Sequence, residues 1–306
     1  MTFNLTTAKL ISFETWMADC SARIQQGLSY YLEKCNYPAP KLQEAMAYAS
    51  LSGGKQLRPL LIYATGKVFE VPLESLDVAA YAVELIHSYS LVHDDLPAMD
   101  NATWRRGKPS CYKAFGEDIA ILAGDALQAL AFDIIASHQA PLSAQKRLKM
   151  VQILSRASGP LGMVSGQALD ILNTAERTSS ESALRQMYQL KTGALIQASI
   201  ELGLAAAEQK TRKQEKALQI YAESISLGFQ IQDDILDIEG QTEEIGKTSG
   251  LDAEQAKKTY PRLIGLEVAK QKVEHLFQNA FQALEFFDER AEVLRQLTVY
   301  MSSRKK

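Results

Sequence analysis

Four stretches of this chain, LDVAAYAVELIHSYSLVHDD, GEDIAILAGDALQALAFDIIASHQ, SALRQMYQLKTGALIQASIELGLAAAEQ and EKALQIYAESISLGFQIQDDILDIEG, carry apolar residues at three- and four-residue spacing. Each is rich in Ala and Leu and long enough for several helical turns. Some are apolar on nearly every face, and such a helix is stable only when other helices enclose it. Alternating strand patterns are hard to find. The expected fold is therefore all-α, a bundle with central helices, with residues 1–306 forming one domain. Breaks are expected at NYPAP, FEVPLESL, NATWRRGKPS, SHQAPLSAQ and IEGQTEEIGKTSGLD, none long enough to act as a linker.

Composition narrows the function. A net charge of -3 and a pI near 5.9 provide no basic field for nucleic acid or an anionic membrane, so an anionic ligand must meet local cations. Cys20, Cys35 and Cys111 form no CxxC pair, which argues against a disulfide framework and against structural zinc. The N-terminus lacks a basic start and an apolar run, and no uninterrupted stretch of about 18 apolar residues occurs. A cytoplasmic location without membrane insertion is expected.

Two acidic clusters close apolar helices. In GFQIQDDILDIEG, Asp233 and Asp237 are i and i+4 and share a helix face, with Gln230 one turn earlier and Asp234 beside them. Paired carboxylates on a rigid helix suit magnesium, which binds few protein ligands together with substrate phosphates. In LVHDDLPAMD, Asp94 and Asp100 are six apart, about 120° around an ideal helix. Pro97 disfavours helix at Leu96, so the chain is expected to leave the helix and curl Asp100 back beside Asp94. Either cluster alone reads most simply as solvated surface. Together, at the ends of buried helices, uncompensated carboxylates are costly and call for cations.

Cations for a phosphate are also present. SGGKQLRP places Gly54, Lys55 and Arg58 together, and Arg105 and Arg106 follow the first acidic cluster. Arg clamps phosphate oxygens with two donors, Lys acts as a point charge, and glycines admit close backbone approach. His87 lies two turns before Asp94, while Lys191, Thr192 and Lys247 add donors. The GGK stretch lacks the spacing of a Walker loop.

In these motifs, taken in order from GGKQLRP to GKTSGLDAEQAKKTYP, the chain resembles the trans-isoprenyl diphosphate synthases, most closely the short-chain bacterial type. The resemblance covers most of positions 52 to 265. It implies an isoprenoid synthase-type helical bundle around a deep central cavity, a homodimer, and three Mg2+ ions bridging the aspartate motifs to an allylic diphosphate. Asp94, Asp95, Asp100, Asp233 and Asp237 would bind metal. Asp94, Asp95, Asp100, Asp233, Asp234, Lys191 and Lys247 would serve catalysis. Gly54, Lys55, Arg58, His87 and Arg106 would receive isopentenyl diphosphate, with Arg105, Lys191, Thr192, Gln230, Asp233 and Lys247 on the allylic side.

The reaction implied is condensation of isopentenyl diphosphate with dimethylallyl or geranyl diphosphate to give a fifteen-carbon product. Tyr89 and Ser90 precede Asp94 by five and four residues, about 6 to 7.5 Å deeper along the helix, so the Tyr89 ring is the expected floor of the product cavity. The chain departs from the pattern at Gln56, where relatives commonly have Arg. It departs also at Ala102 and Thr103, where they have an acidic pair, at Trp104 in place of Leu, and at Tyr112 in place of His. Alternatives are a geranyl or geranylgeranyl synthase, a noncatalytic subunit of the same fold, and a phosphohydrolase using His93-Asp94.

Overall fold

The computed structural model describes residues 12–175, 180–243 and 259–304. The Lys247 expectation lies outside the described residues.

The chain begins with α1 (Phe13–Ser29), which Ser12 caps by accepting the Thr15 amide and which ends in a π-helical turn, Tyr30–Lys34. Next come α2 (Pro40–Ser50), α3 (Leu57–Val68) and α4 (Leu73–Asp94). Strands β1 (Trp104–Arg105) and β2 (Lys108–Pro109) form a hairpin leading into α5 (Cys111–Phe115), α6 (Glu117–Ala136), α7 (Ala144–Ser158) and α8 (Met163–Ala175). Helix α9 (Glu181–Tyr188) continues through a π segment, Gln189–Gly193, into α10 (Ala194–Ala206), and α11 (Arg212–Glu243) follows. The chain closes with α12 (Tyr260–Ile264), α13 (Leu266–Ala283) and α14 (Glu292–Ser302).

The all-round apolar pattern has the expected consequence. Helices α4 and α10 are buried on most faces: α4 packs against α3, α6, α1, α2 and α10, and α10 against α3, α7 and α11. Leu76, Leu85 and Ile86 of α4 and Leu195 and Leu202 of α10 are almost completely sealed. Helix α11 lies against α13 and carries the second acidic cluster.

Two details differ from the sequence reading. The break expected at IEGQTEE begins later, because α11 runs on to Glu243 through Gly240. One glycine in a helix costs only about 1 kcal/mol, which a 32-residue helix packed along its length absorbs. The NATWRRGKPS break, expected as plain loop, contains the hairpin, whose two-residue turn has Arg106 at φ 52° and Gly107 at φ 76°. Positive φ at both turn positions matches the right-handed twist of a tight hairpin.

Candidate active site

Helix α4 delivers Asp94 at its last residue and then stops. The chain turns at Pro97, and the Asp100 amide donates to the Asp94 carbonyl over 2.8 Å, so the segment folds back on the helix end. Asp94 lines a cavity of about 410 Å3 together with Arg58, His87, Lys191 and Thr192. Burial pushes its carboxyl up to about 6; Lys191 favours the charged form and Asp100 opposes it.

Asp95 behaves differently. It is 2% exposed, and Arg105 Nε donates to its two oxygens at 3.0 and 3.2 Å while Arg105 Nη2 also donates to Oδ1. A carboxylate already engaged by a forked guanidinium has little capacity left for a cation. In the structure Asp95, expected as a metal ligand, and Arg105, expected on the allylic diphosphate, are paired with each other. The pair fastens the hairpin to the end of α4.

The second cluster rides on α11. Asp233 makes an ion pair with Arg304 at 3.0 Å, and burial raises its carboxyl to about 6, with Arg304 and Lys55 drawing it down and Asp237 pushing it up. Asp234 faces inward: Tyr188 Oη donates to it over 2.6 Å and the Tyr260 amide over 3.1 Å. Burial still lifts Asp234 to about 7. The three aspartates of this motif therefore face two ways, with Asp233 and Asp237 on one stripe and Asp234 locked into the bundle.

The π segment between α9 and α10 joins the clusters. Single-turn π segments in α-helices recur at functional sites. This one bears Lys191, whose Nζ donates to Asp170 Oδ2 over 2.6 Å, and Thr192, whose hydroxyl donates to Gln230 Oε1 over 2.7 Å. Lys191 is thus next to Asp94 while Thr192 reaches the helix of Asp233. Gly166 of α8 makes this possible, since a Cβ there would lie 2.1 Å from the Lys191 nitrogen.

A third group of residues surrounds His87. Arg58 opens α3 and lines the cavity, yet its Nε is buried without a hydrogen-bond partner. Burial, reinforced by Arg58, Arg106 and Arg105, holds His87 well below the usual imidazole range, so it is neutral at pH 7 and offers one N–H. Arg106 Nη1 donates to the Gly53 carbonyl, and a Cβ on Gly54 would meet Arg106 Cζ at 2.8 Å. The glycine pair therefore interlocks with the hairpin turn. Lys55, its pKa lowered by burial and Arg304 and raised by Asp233, sits toward the second cluster.

The apolar end of the cavity includes Tyr89, Met99, Met163, Val164 and Ile171. Tyr89 is 6% exposed, and its ring meets His93 edge-on at 5.8 Å. Ser90 also lines the cavity, but its hydroxyl donates to the His87 carbonyl over 2.9 Å, leaving it short and flat. His93 Nε2 donates to the Ile121 carbonyl of α6 over 3.0 Å.

Sequence reasoning missed Asp170, Tyr188, Tyr260, Arg304 and Glu84. Asp170 stands alone in GMVSGQALDI, the tyrosines resemble core aromatics, and Arg304 sits in a short basic tail. Among the described residues, no three or more His, Cys, Asp or Glu side chains could hold a metal by themselves. The oxygen donors Asp94, Asp100, Asp233 and Asp237 are instead spread over the end of α4, the turn after it and α11, the pattern of a hard cation completed by substrate oxygens. Burial raises Asp94 and Asp233 to about 6, a bound cation would favour their charged forms, and this all-oxygen donor set fits magnesium.

A helical bundle whose cavity is lined by the Asp94 carboxylate, the Arg58 and Lys191 cations and several apolar side chains suits an apolar substrate carrying an anionic head. The polyprenyl synthetase profile matches residues 39–297. The farnesyl diphosphate synthase of Escherichia coli (strain K12) is 44% identical over 300 residues, 97% of this chain and 100% of that one. A crystal structure of a geranyltransferase from Legionella pneumophila superposes with a TM-score of 0.86 at 38% identity, covering 96% of this chain and 97% of that one. A geranyltransferase from Helicobacter pylori, complexed with magnesium and isoprenyl diphosphate, gives 0.82 at 30% identity, covering 98% and 99%. The chain belongs to the polyprenyl synthetase family and is a prenyltransferase.

Proposed function

We propose that this chain condenses isopentenyl diphosphate with dimethylallyl or geranyl diphosphate to give farnesyl diphosphate, acting as one polyprenyl synthetase domain across residues 1–306. The observation that carries the reading is the cavity itself, lined by Asp94, Lys191 and Thr192 together with Tyr89 and apolar side chains. Magnesium, three ions per site, would be held by Asp94, Asp100, Asp233 and Asp237 and would supply neutralisation of the departing diphosphate. Lys191, Thr192, Gln230 and Lys247 hold the allylic diphosphate. Asp234 braces the second cluster from behind through Tyr188 and Tyr260.

On the other side Gly54, Lys55, Arg58, His87 and Arg106 receive isopentenyl diphosphate. The allylic C–O bond breaks with its electron pair leaving on diphosphate; the homoallylic double bond attacks the resulting cation; a proton then leaves to the released diphosphate. Positive charge fixed around the leaving group lowers the barrier because it needs no reorganisation during reaction. No protein nucleophile takes part. Tyr89 closes the cavity and limits the chain at fifteen carbons.

The enzyme acts as a cytoplasmic homodimer. Helix α6 is the one element among the described residues long and apolar enough to span a bilayer, although Asp125, Gln128 and Asp133 interrupt it. Only 39% of its most apolar window is buried, with Ile121 and Leu122 half exposed, which supports a second copy covering this face. The test of function is product length: purified protein with magnesium, isopentenyl diphosphate and either starter should yield farnesyl diphosphate. A twenty-carbon or ten-carbon end product would reassign it within the family, and absence of condensation would favour a noncatalytic subunit.

A further inference from the structure

His93 lies one turn of α4 beyond Tyr89, so the two rings share a helix face, and both line the cavity. They meet edge-on, with centroids 5.8 Å apart and planes at 76°, so neither ring turns without displacing the other. The imidazole is in turn fixed by α6. Its Nε2 donates to the Ile121 carbonyl over 3.0 Å, and Asp125 Oδ1 stands 4.0 Å from the same nitrogen. Gly124, three residues after Ile121, provides the room: a Cβ there would lie 2.1 Å from Nε2 and 2.5 Å from Cδ2. The ring is therefore seated in a notch that any side chain at this position would fill, on a helix that packs against α4.

Resting on the reading that Tyr89 ends the product chain, we propose that His93, seated in the Gly124 notch, is a positioning residue for product length, holding the Tyr89 ring across the path of the growing chain. A long side chain on a helix has two favoured χ1 wells, and the neighbour one turn away helps decide between them. With the imidazole in place, the space one turn toward Asp94 is filled and Tyr89 keeps its setting. Without it, that space receives the Tyr89 ring, and the cavity deepens by the volume the ring vacates. Selectivity for fifteen carbons thus depends on how α4 and α6 pack at Gly124, and not on the size of the Tyr89 ring alone.

Product distribution tests this, since a role confined to folding changes rate or stability and leaves chain length alone. With magnesium, isopentenyl diphosphate and geranyl diphosphate at matched conversion, His93→Ala should raise the ratio of twenty- to fifteen-carbon product about two- to tenfold over the wild type, the loss of one edge-to-face contact read as a population ratio. Gly124→Ala drives the imidazole out of its notch while both rings remain, and should shift the ratio in the same direction. In the double variant His93→Ala/Gly124→Ala the added methyl has no ring to displace, so the ratio should equal that of His93→Ala alone, and shifts that add would contradict the proposal. An unchanged ratio in His93→Ala overturns it when Tyr89→Ala, run beside it, makes longer products. An unchanged ratio in Tyr89→Ala instead overturns the floor reading beneath it. Should His93→Ala fail to accumulate folded, Gly124→Ala decides by itself: a wild-type ratio there contradicts the positioning role.

Discussion

Asp94 and Asp233 both sit near a pKa of about 6 without metal, which ties metal binding to pH. Protons and cations compete for the same oxygens. The protonated fraction is small above pH 7 and grows as pH falls through 6, so metal affinity is retained on the alkaline side and lost on the acid side. Magnesium titrations of activity should therefore need about tenfold more metal per pH unit below 6 for each carboxylate involved, and little change between pH 7 and 8. A half-saturating concentration constant from pH 7.5 to 5 would contradict this. Asp234 gives a second prediction. Tyr188 donates to its charged form, so Tyr188→Phe should raise its pKa further and move the acid limb of the rate profile up by about one unit. An unmoved limb would show that Asp234 ionisation does not matter. The acidic clusters stood out by their spacing and by the apolar helices they close, and the resemblance supplied the roles expected of them. Their partners did not stand out. Tyr188 and Tyr260 come from remote segments, and only folding shows that they meet Asp234.

The hairpin and the end of α4 are held by Asp95 and Arg105, which distinguishes the two adjacent aspartates experimentally. Asp95→Asn removes one partner of a sealed pair. With Arg105 side-chain exposure at 38%, the cost is discounted to about 2 kcal/mol. The Tm should fall by roughly 4 to 8 °C. Asp94→Asn should leave Tm unchanged or higher, because burial and Asp100 already disfavour its charge, while activity is abolished. Equal Tm values for the two variants would mean that Asp95 is no anchor. At this scale the long helices were visible in the sequence because their period repeats over many turns. The hairpin was missed because two-residue strands have no period, and the π segment at Gln189–Gly193 because one extra residue per turn leaves the apolar pattern almost intact. Pairing of Asp95 with Arg105 was hidden for a related reason: a shared Asp motif suggests a shared role, and only the folded hairpin shows Arg105 brought back onto Asp95.

Over the whole molecule, the exposed apolar face of α6 and the cavity beside Asp94 make separate claims. Substituting Ile121→Asp and Leu122→Asp should convert the protein to a monomer in sedimentation velocity, whereas a persisting dimer would place the interface elsewhere. The bundle was foreseeable because helices apolar on every face must be enclosed. The unburied side of α6 was not, since sequence marks a helix as apolar without saying which of its faces the bundle covers. The central claim is that the Asp94 end of the cavity performs prenyl transfer and Tyr89 ends the chain. The most direct measurement is the product length made from isopentenyl diphosphate and geranyl diphosphate by the wild type and by Tyr89→Ala. Fifteen carbons from the wild type and twenty or more from the variant are the predicted result; no condensation by the wild type, or the same product from both, would contradict it.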